Sequence, residues 1–274
     1  MHIVAFVTQK GGAGKSTLAS NVAVASHIAG ERVFICDLDP LQALVKWSRA
    51  RKALDIPVEH IPTGKLTPAL AALESKGVTL AIIDTPAADL SHFEEAVRAA
   101  DLCVIPARPN ALDLWASEMT LAKIRSFGKN YAFLLNQCPP AQQGVRVERG
   151  AKALQELGAL LAPLVSTRVD YQDAIRLGLG VGELNPNGAA AREMRKLWAS
   201  LRNRLENAVK PSTPKGKSSH RPDASYPSFF DQALIARNLY VDLLSAFLPA
   251  NRLAPPDYPG APPEDAASRR RSSP

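Results

Sequence analysis

Apolar runs of strand length recur at residues 3–7, 33–36, 80–83, 102–105 and 131–135, and none of them alternates with polar residues. Such runs suit strands covered on both faces, as in a parallel sheet wrapped by helices. Between and beyond them lie longer stretches with helical spacing, at 15–29, 41–52, 67–75, 94–99, 112–127, 147–157 and 189–206. Gly30 closes the first, Pro40 precedes the second and Gly77 follows the third, which are ordinary start and stop signals. The alternation predicts a doubly wound α/β fold: a mainly parallel sheet with helices on both faces.

The pattern changes after residue 209. Residues 210–228, rich in Pro, Ser and Lys, read as a disordered linker, 229–248 as one amphipathic helix, and 249–274 as a Pro-rich, polar, disordered tail. Residues 1–209 form the expected main domain, and 274 residues at 46% hydrophobic content suffice for one full core. The amino terminus enters the first strand without a leader pattern, and no apolar run reaches the ~18 residues of a spanning helix, so a cytoplasmic protein is expected. Cys36, Cys103 and Cys138 sit in apolar surroundings and are read as reduced, buried thiols. The net charge of +7 permits attraction to a polyanion and is equally compatible with a solvated basic surface.

Candidate chemistry is concentrated directly after the first run, in Lys10-Gly11-Gly12-Ala13-Gly14-Lys15-Ser16-Thr17. A strand that feeds a glycine-rich bend and then a helix turns successive backbone N–H groups, and the positive helix end, onto phosphate. In such a loop Lys15 reaches the β- and γ-phosphates and the Ser16 hydroxyl ligates Mg²⁺. A nucleoside triphosphate site is therefore predicted, with Mg²⁺ as its metal. Asp84 ends the run at 80–83, and Asp37 and Asp39 follow the run at 33–36. Carboxylates there lie at the carboxyl edge of the sheet, where α/β folds bind ligands. Asp84 is read as a metal aspartate, and Asp37 either as a neighbour of the metal or as a cap for the next helix.

With a second lysine, Lys10, ahead of the glycines, the loop has the form K-G-G-x-G-K-[ST]. It resembles the deviant Walker A loop of the family containing ParA-type partition ATPases, MinD-type ATPases and the nitrogenase iron protein. Gln9 stands where the plain phosphate-loop pattern has glycine. The resemblance continues through Asp39-Pro40, Trp47-Ser48-Arg49-Ala50, Ile105-Pro106, Leu112-Asp113 and Asn187-Gly188-Ala189-Ala190, over about residues 1–205. It points to the small ParA-type subgroup without an amino-terminal DNA-reading domain.

That resemblance implies ATP and Mg²⁺ as cofactors, held by Gly11, Gly12, Ala13, Gly14, Lys15, Ser16 and Thr17, with Ser16, Asp84 and Asp37 on the metal side. It implies an ATP-bound homodimer in which Lys10 reaches the partner's nucleotide and Asp39 positions the attacking water. Asn136, after a late strand, would bond the adenine edge; read from its position alone it serves as well as a turn or cap residue. The implied output is plasmid or chromosome partition, or cargo positioning, by a nucleoid-associated protein that binds DNA nonspecifically. Its hydrolysis would be stimulated by a ParB-like or other small partner. Arg192, Arg195, Lys196, Arg202 and Arg204 recur along the last helix of the body as a DNA stripe or a solvated face.

Two alternatives remain open at this point. One is a MinD-like membrane-associated ATPase, disfavoured because the charges of 229–248, Asp231, Arg237 and Asp242, do not suit anionic lipid. The other is an ATP-dependent small-molecule ligase or amidotransferase. Cys103 lies inside an apolar run rather than on a loop, which argues against the cluster of the iron protein.

Overall fold

A computed structural model of the chain describes residues 1–87, 89–139 and 144–207. The linker, helix and tail expected beyond residue 209 lie outside the described residues. The chain runs β1 (His2–Phe6), α1 (Lys15–Ile28), β2 (Val33–Asp37), α2 (Ala43–Ala50), β3 (Val58–His60), α3 (Leu66–Ser75), β4 (Leu80–Asp84) and α4 (Leu90–Ala99). It continues with β5 (Leu102–Ala107), α5 (Ala111–Ser126), β6 (Tyr131–Leu135), α6 (Val145–Leu157), α7 (Val169–Arg176), α8 (Val181–Leu184) and α9 (Ala189–Asn207). The strands form one parallel sheet in the order β3-β2-β4-β1-β5-β6, so the expected doubly wound fold is the observed one.

Every residue of β2, β4 and β5 is buried, as their unbroken apolar runs require. Helix α1 is buried along most of its length because it lies between the sheet and the layer of α7, α8 and α9. A helix covered on two sides has no polar face to show, which explains its run of Leu, Val, Ala and small polar residues. Leu18, Val22, Ile35, Ile82, Val104, Met194, Leu197 and Leu201 belong to one continuous cluster that joins this helix layer to the sheet. Cys36, Cys103 and Cys138 are buried free thiols, with the first two pushed up to about 12 by burial.

Five elements depart from the sequence reading. Strand β3 has only three residues, pairs with β2 alone at the edge and was not expected. Helices α7 and α8 were also not expected. Helix α2 begins two residues later than its apolar spacing suggests, because Gln42 sits in the left-handed region at φ 53°. Helix α4 begins earlier, because the Asp89 carboxylate caps the N–H groups of Ser91 and His92.

Candidate functional site

Parallel pairing sets the position of the acidic groups before any side chain is considered. Asp37 and Asp84 are the last residues of β2 and β4 and are register partners, while Phe6, at the end of β1, pairs with Asp84. The loop that leaves β1 therefore passes beside Asp84, with Asp37 one strand further along the carboxyl edge of the sheet. Gly12 and Gly14 adopt φ 78° and 89°, conformations that a side chain resists. A Cβ on Gly14 would also fall 2.4 Å from the Asn136 side-chain nitrogen. Gly14 is the N-cap of α1, and no side chain caps that helix end. Its opening N–H groups and dipole are thus left for an anion.

Lys15 is buried, and its pKa is lowered by that burial against the opposing pull of Asp84 and Asp39. Asp84 has no exposed surface, and neither carboxylate oxygen has a hydrogen-bond partner. Burial drives its pKa far above the carboxylate range. Asp37 and Asp39 push the same way, while Lys15 and the nearby Ser16 hydroxyl oppose without completing a bond. A buried, unpartnered carboxylate is costly unless a cation joins it. The donor set of a serine hydroxyl, an orphaned aspartate and a basic, amide-rich loop fits a metal-bound polyphosphate.

Asp37 faces elsewhere. One oxygen accepts from the Leu44 and Val45 N–H groups at 3.0 and 3.2 Å, and the other from the Asp39 N–H at 3.0 Å. It thereby caps the start of α2, with a pKa raised by burial in spite of those three donors. Asp39 is partly exposed on the following turn, where it accepts from the Leu41 N–H at 2.9 Å.

Lys10 is bonded to Asp113, near the start of α5. Asp113 is 2% exposed and also accepts from Arg108, through Nε at 2.8 Å, Nη2 at 3.1 Å and the backbone N–H at 3.1 Å. The Arg108 guanidinium lies beside the glycine bend, 3.8 Å from where a Cβ on Gly12 would stand. Asn136 is 5% exposed and donates to the Ala13 carbonyl at 2.8 Å, and Gln137 donates to the Gly12 carbonyl at 2.9 Å. Next to them a cavity of about 200 Å³ is lined by Thr17, Asn136, Gln137, Thr167, Arg168 and Tyr171 among others. Arg168 and Tyr171 both bond Glu193 of α9.

The structure thus brings Lys10, Gly11, Gly12, Ala13, Gly14, Lys15, Ser16, Thr17, Asp37, Asp39, Asp84 and Asn136 to one end of the sheet. Arg108, Asp113 and Gln137 join them, three residues to which the sequence assigned no individual role. A weak signal existed for each. Arg108 directly follows β5, Gln137 stands two residues past β6, and Asp113 stands three residues after the helix-capping Asn110. On α9, Arg192, Arg195, Lys196 and Arg202 are exposed, whereas Arg204 is half-buried at the opposite end of the sheet with Asp101 and Lys129. Among the described residues no helix is long and apolar enough to cross a membrane.

A parallel α/β sheet with a glycine-rich anion loop at the carboxyl end of its first strand defines a phosphate-loop nucleotide-binding protein. Residues 4–210 match the family model of the CobQ/CobB/MinD/ParA nucleotide binding domain, and the chain belongs to that family. It is 28% identical over 218 residues to maintenance of carboxysome distribution protein A of Halothiobacillus neapolitanus, covering 76% of this chain and 96% of that protein. The protein of that name from Gloeobacter kilaueensis is 34% identical over 160 residues, covering 57% of this chain and 72% of the relative. Among solved structures, MinD of Aquifex aeolicus matches with a TM-score of 0.62 at 19% identity, over 74% of this chain and 98% of that one. The Mg-ADP complex of MinD from Pyrococcus horikoshii matches at 0.61 and 18%, over 76% and 99%. At these identities the structural matches speak for the fold.

Proposed function

We propose that the protein is a ParA-type ATPase that dimerises when ATP is bound and positions a large cargo, DNA or a protein assembly, by holding DNA nonspecifically. The observation that carries this reading is the pair of buried Lys15 and unpartnered Asp84 at the open end of α1. Ser16 and Asp84 would hold Mg²⁺, with Asp37 adding negative charge from its place at the end of β2. When bound, that metal neutralises charge on the phosphates. Lys15 and the loop N–H groups fix the triphosphate, and Asp39, on a turn open to water, orients the attacking molecule.

In a single protomer Lys10 is held by Asp113. On pairing it would exchange that carboxylate for the partner's nucleotide, so hydrolysis would depend on the dimer. Arg192, Arg195, Lys196 and Arg202 would supply the DNA contacts, and a small partner protein would stimulate turnover and release. Likeness to two proteins named for carboxysome distribution supports cargo positioning as the output.

Sedimentation and DNA retention, measured with no nucleotide, ADP and ATP, test this. A dimer with salt-sensitive DNA retention only in ATP is expected. An Asp39→Ala variant should bind ATP and dimerise yet hydrolyse slowly. A monomer in every state, or full-rate hydrolysis by the monomer, would contradict the proposal. Nucleotide-dependent binding to anionic vesicles would replace DNA with membrane as the surface.

A further inference from the structure

The geometry points to Asn136 and Gln137 as a pair of positioning residues that set the peptide planes of the phosphate loop, so that Asn136 acts on the phosphates rather than on the base. This inference rests on the reading of the loop as a nucleotide site. It is carried by two consecutive side-chain amides at the end of β6, which donate to two consecutive loop carbonyls: Gln137 to Gly12 at 2.9 Å and Asn136 to Ala13 at 2.8 Å.

The consequence follows from the planarity of the peptide unit. In a trans peptide the N–H points opposite to the C=O. The Gly12 carbonyl shares its plane with the Ala13 N–H, and the Ala13 carbonyl shares its plane with the Gly14 N–H. Fixing both carbonyls toward β6 therefore turns both N–H groups away from it, to the side left for the anion. A glycine-rich bend has low intrinsic preference for any one arrangement, so an external constraint on these two planes has a large effect. Each donor also polarises its peptide, which strengthens the N–H on the far side as a hydrogen-bond donor.

Four further points agree. Ala13 is 1% exposed, so its carbonyl has no water to turn to and needs a protein donor. Facing a carbonyl, the Asn136 amide must present its NH₂ group, and one of its N–H donors is thereby given to the loop. Gln137 holds φ 54°, an unfavourable conformation for a residue with a side chain, retained where its amide meets Gly12. The 2.4 Å between the Asn136 nitrogen and the Cβ site of Gly14 shows how directly the amide sits on the bend.

The test is displacement of a fluorescent ATP analogue from the full-length protein by MgATP, MgGTP and inorganic triphosphate. Wild type is compared with Asn136→Ala, Asn136→Asp and Gln137→Ala. Loss of one clamp bond should weaken all three ligands by the same factor, about tenfold for Asn136→Ala and a few-fold for the half-buried Gln137→Ala. The ATP-to-GTP ratio should stay unchanged. Asn136→Asp keeps the shape but removes the donor, and should lose at least as much as alanine. Gln137→Ala leaves its carbonyl open to water, so it tests the clamp even where Asn136 variants fold poorly. Unchanged triphosphate affinity, or a loss confined to ATP, would overturn the inference and return Asn136 to the base. Failure of wild-type protein to bind any of the three would instead refute the nucleotide reading on which the clamp rests.

Discussion

Replacing Asp113 with asparagine removes a buried charge that two cations share while keeping its shape. Burial alone would raise the pKa of Asp113. Hydrogen bonds from Arg108 and Lys10, with the Arg108 backbone N–H, more than offset this and hold it at about 2. Relative to an ordinary aspartate near 3.9, a fall of that size is worth about 2 to 3 kcal/mol of folding stability. Because the folded-state pKa is depressed, this stability is fully present above the ordinary value and disappears as pH falls toward about 2. Urea unfolding should therefore place Asp113→Asn about 2 to 3 kcal/mol below wild type, with the gap constant from pH 8 to about 5 and narrowing below about 4. A gap under about 0.5 kcal/mol at neutral pH, the size of an unremarkable surface change, would refute the argument. So would a gap of the same size at about pH 3, since the charge would then not be its source.

Other consequences are simpler to state. Arg51 is 4% exposed and bridges Asp55, at 2.7 and 2.8 Å, to Glu183, at 2.6 and 2.8 Å. Arg51→Met should remove the cation that both carboxylates share and cost about 3 kcal/mol in chemical denaturation, and a variant as stable as wild type would show the bridge to be idle. Gly14→Ala and Gly30→Ala both force a side chain into positive φ, but Gly30 has nothing within 4 Å of the added Cβ. Gly30→Ala should lose only about 1 kcal/mol and leave nucleotide affinity intact. Gly14→Ala meets Asn136 and should lose affinity by at least tenfold, on the order of one displaced hydrogen bond; equal behaviour of the two variants in a binding titration would contradict this.

What the sequence made legible was local. The central strands are buried on both faces, so their apolar runs announced them, and the loop between β1 and α1 could be read residue by residue. Strand β3 was hidden because it spans only Val58–His60, at the sheet edge, with Glu59 exposed. Helix α8 has four residues, too few to show a period, and α7 is short and largely polar. The same limit applies to the site. Lys10 and Asp113 are 103 positions apart, and Arg51 and Glu183 are 132 apart. No spacing rule links them, because their meeting is set by the order of strands in the sheet. Asp37 illustrates the remaining difficulty: its place at the end of β2 was evident, while the choice of the α2 amides as its partners depends on the Gln42 turn.

The central claim is that a buried lysine and a buried, unpartnered aspartate hold a metal-bound triphosphate on the glycine loop. Calorimetric titration of MgATP into wild-type protein and into Lys15→Ala tests it most directly, each repeated with the metal chelated. The account predicts saturable binding by wild type that weakens when Mg²⁺ is removed and is lost in Lys15→Ala. Equal affinity in the variant, or wild-type binding indifferent to the metal, would contradict it.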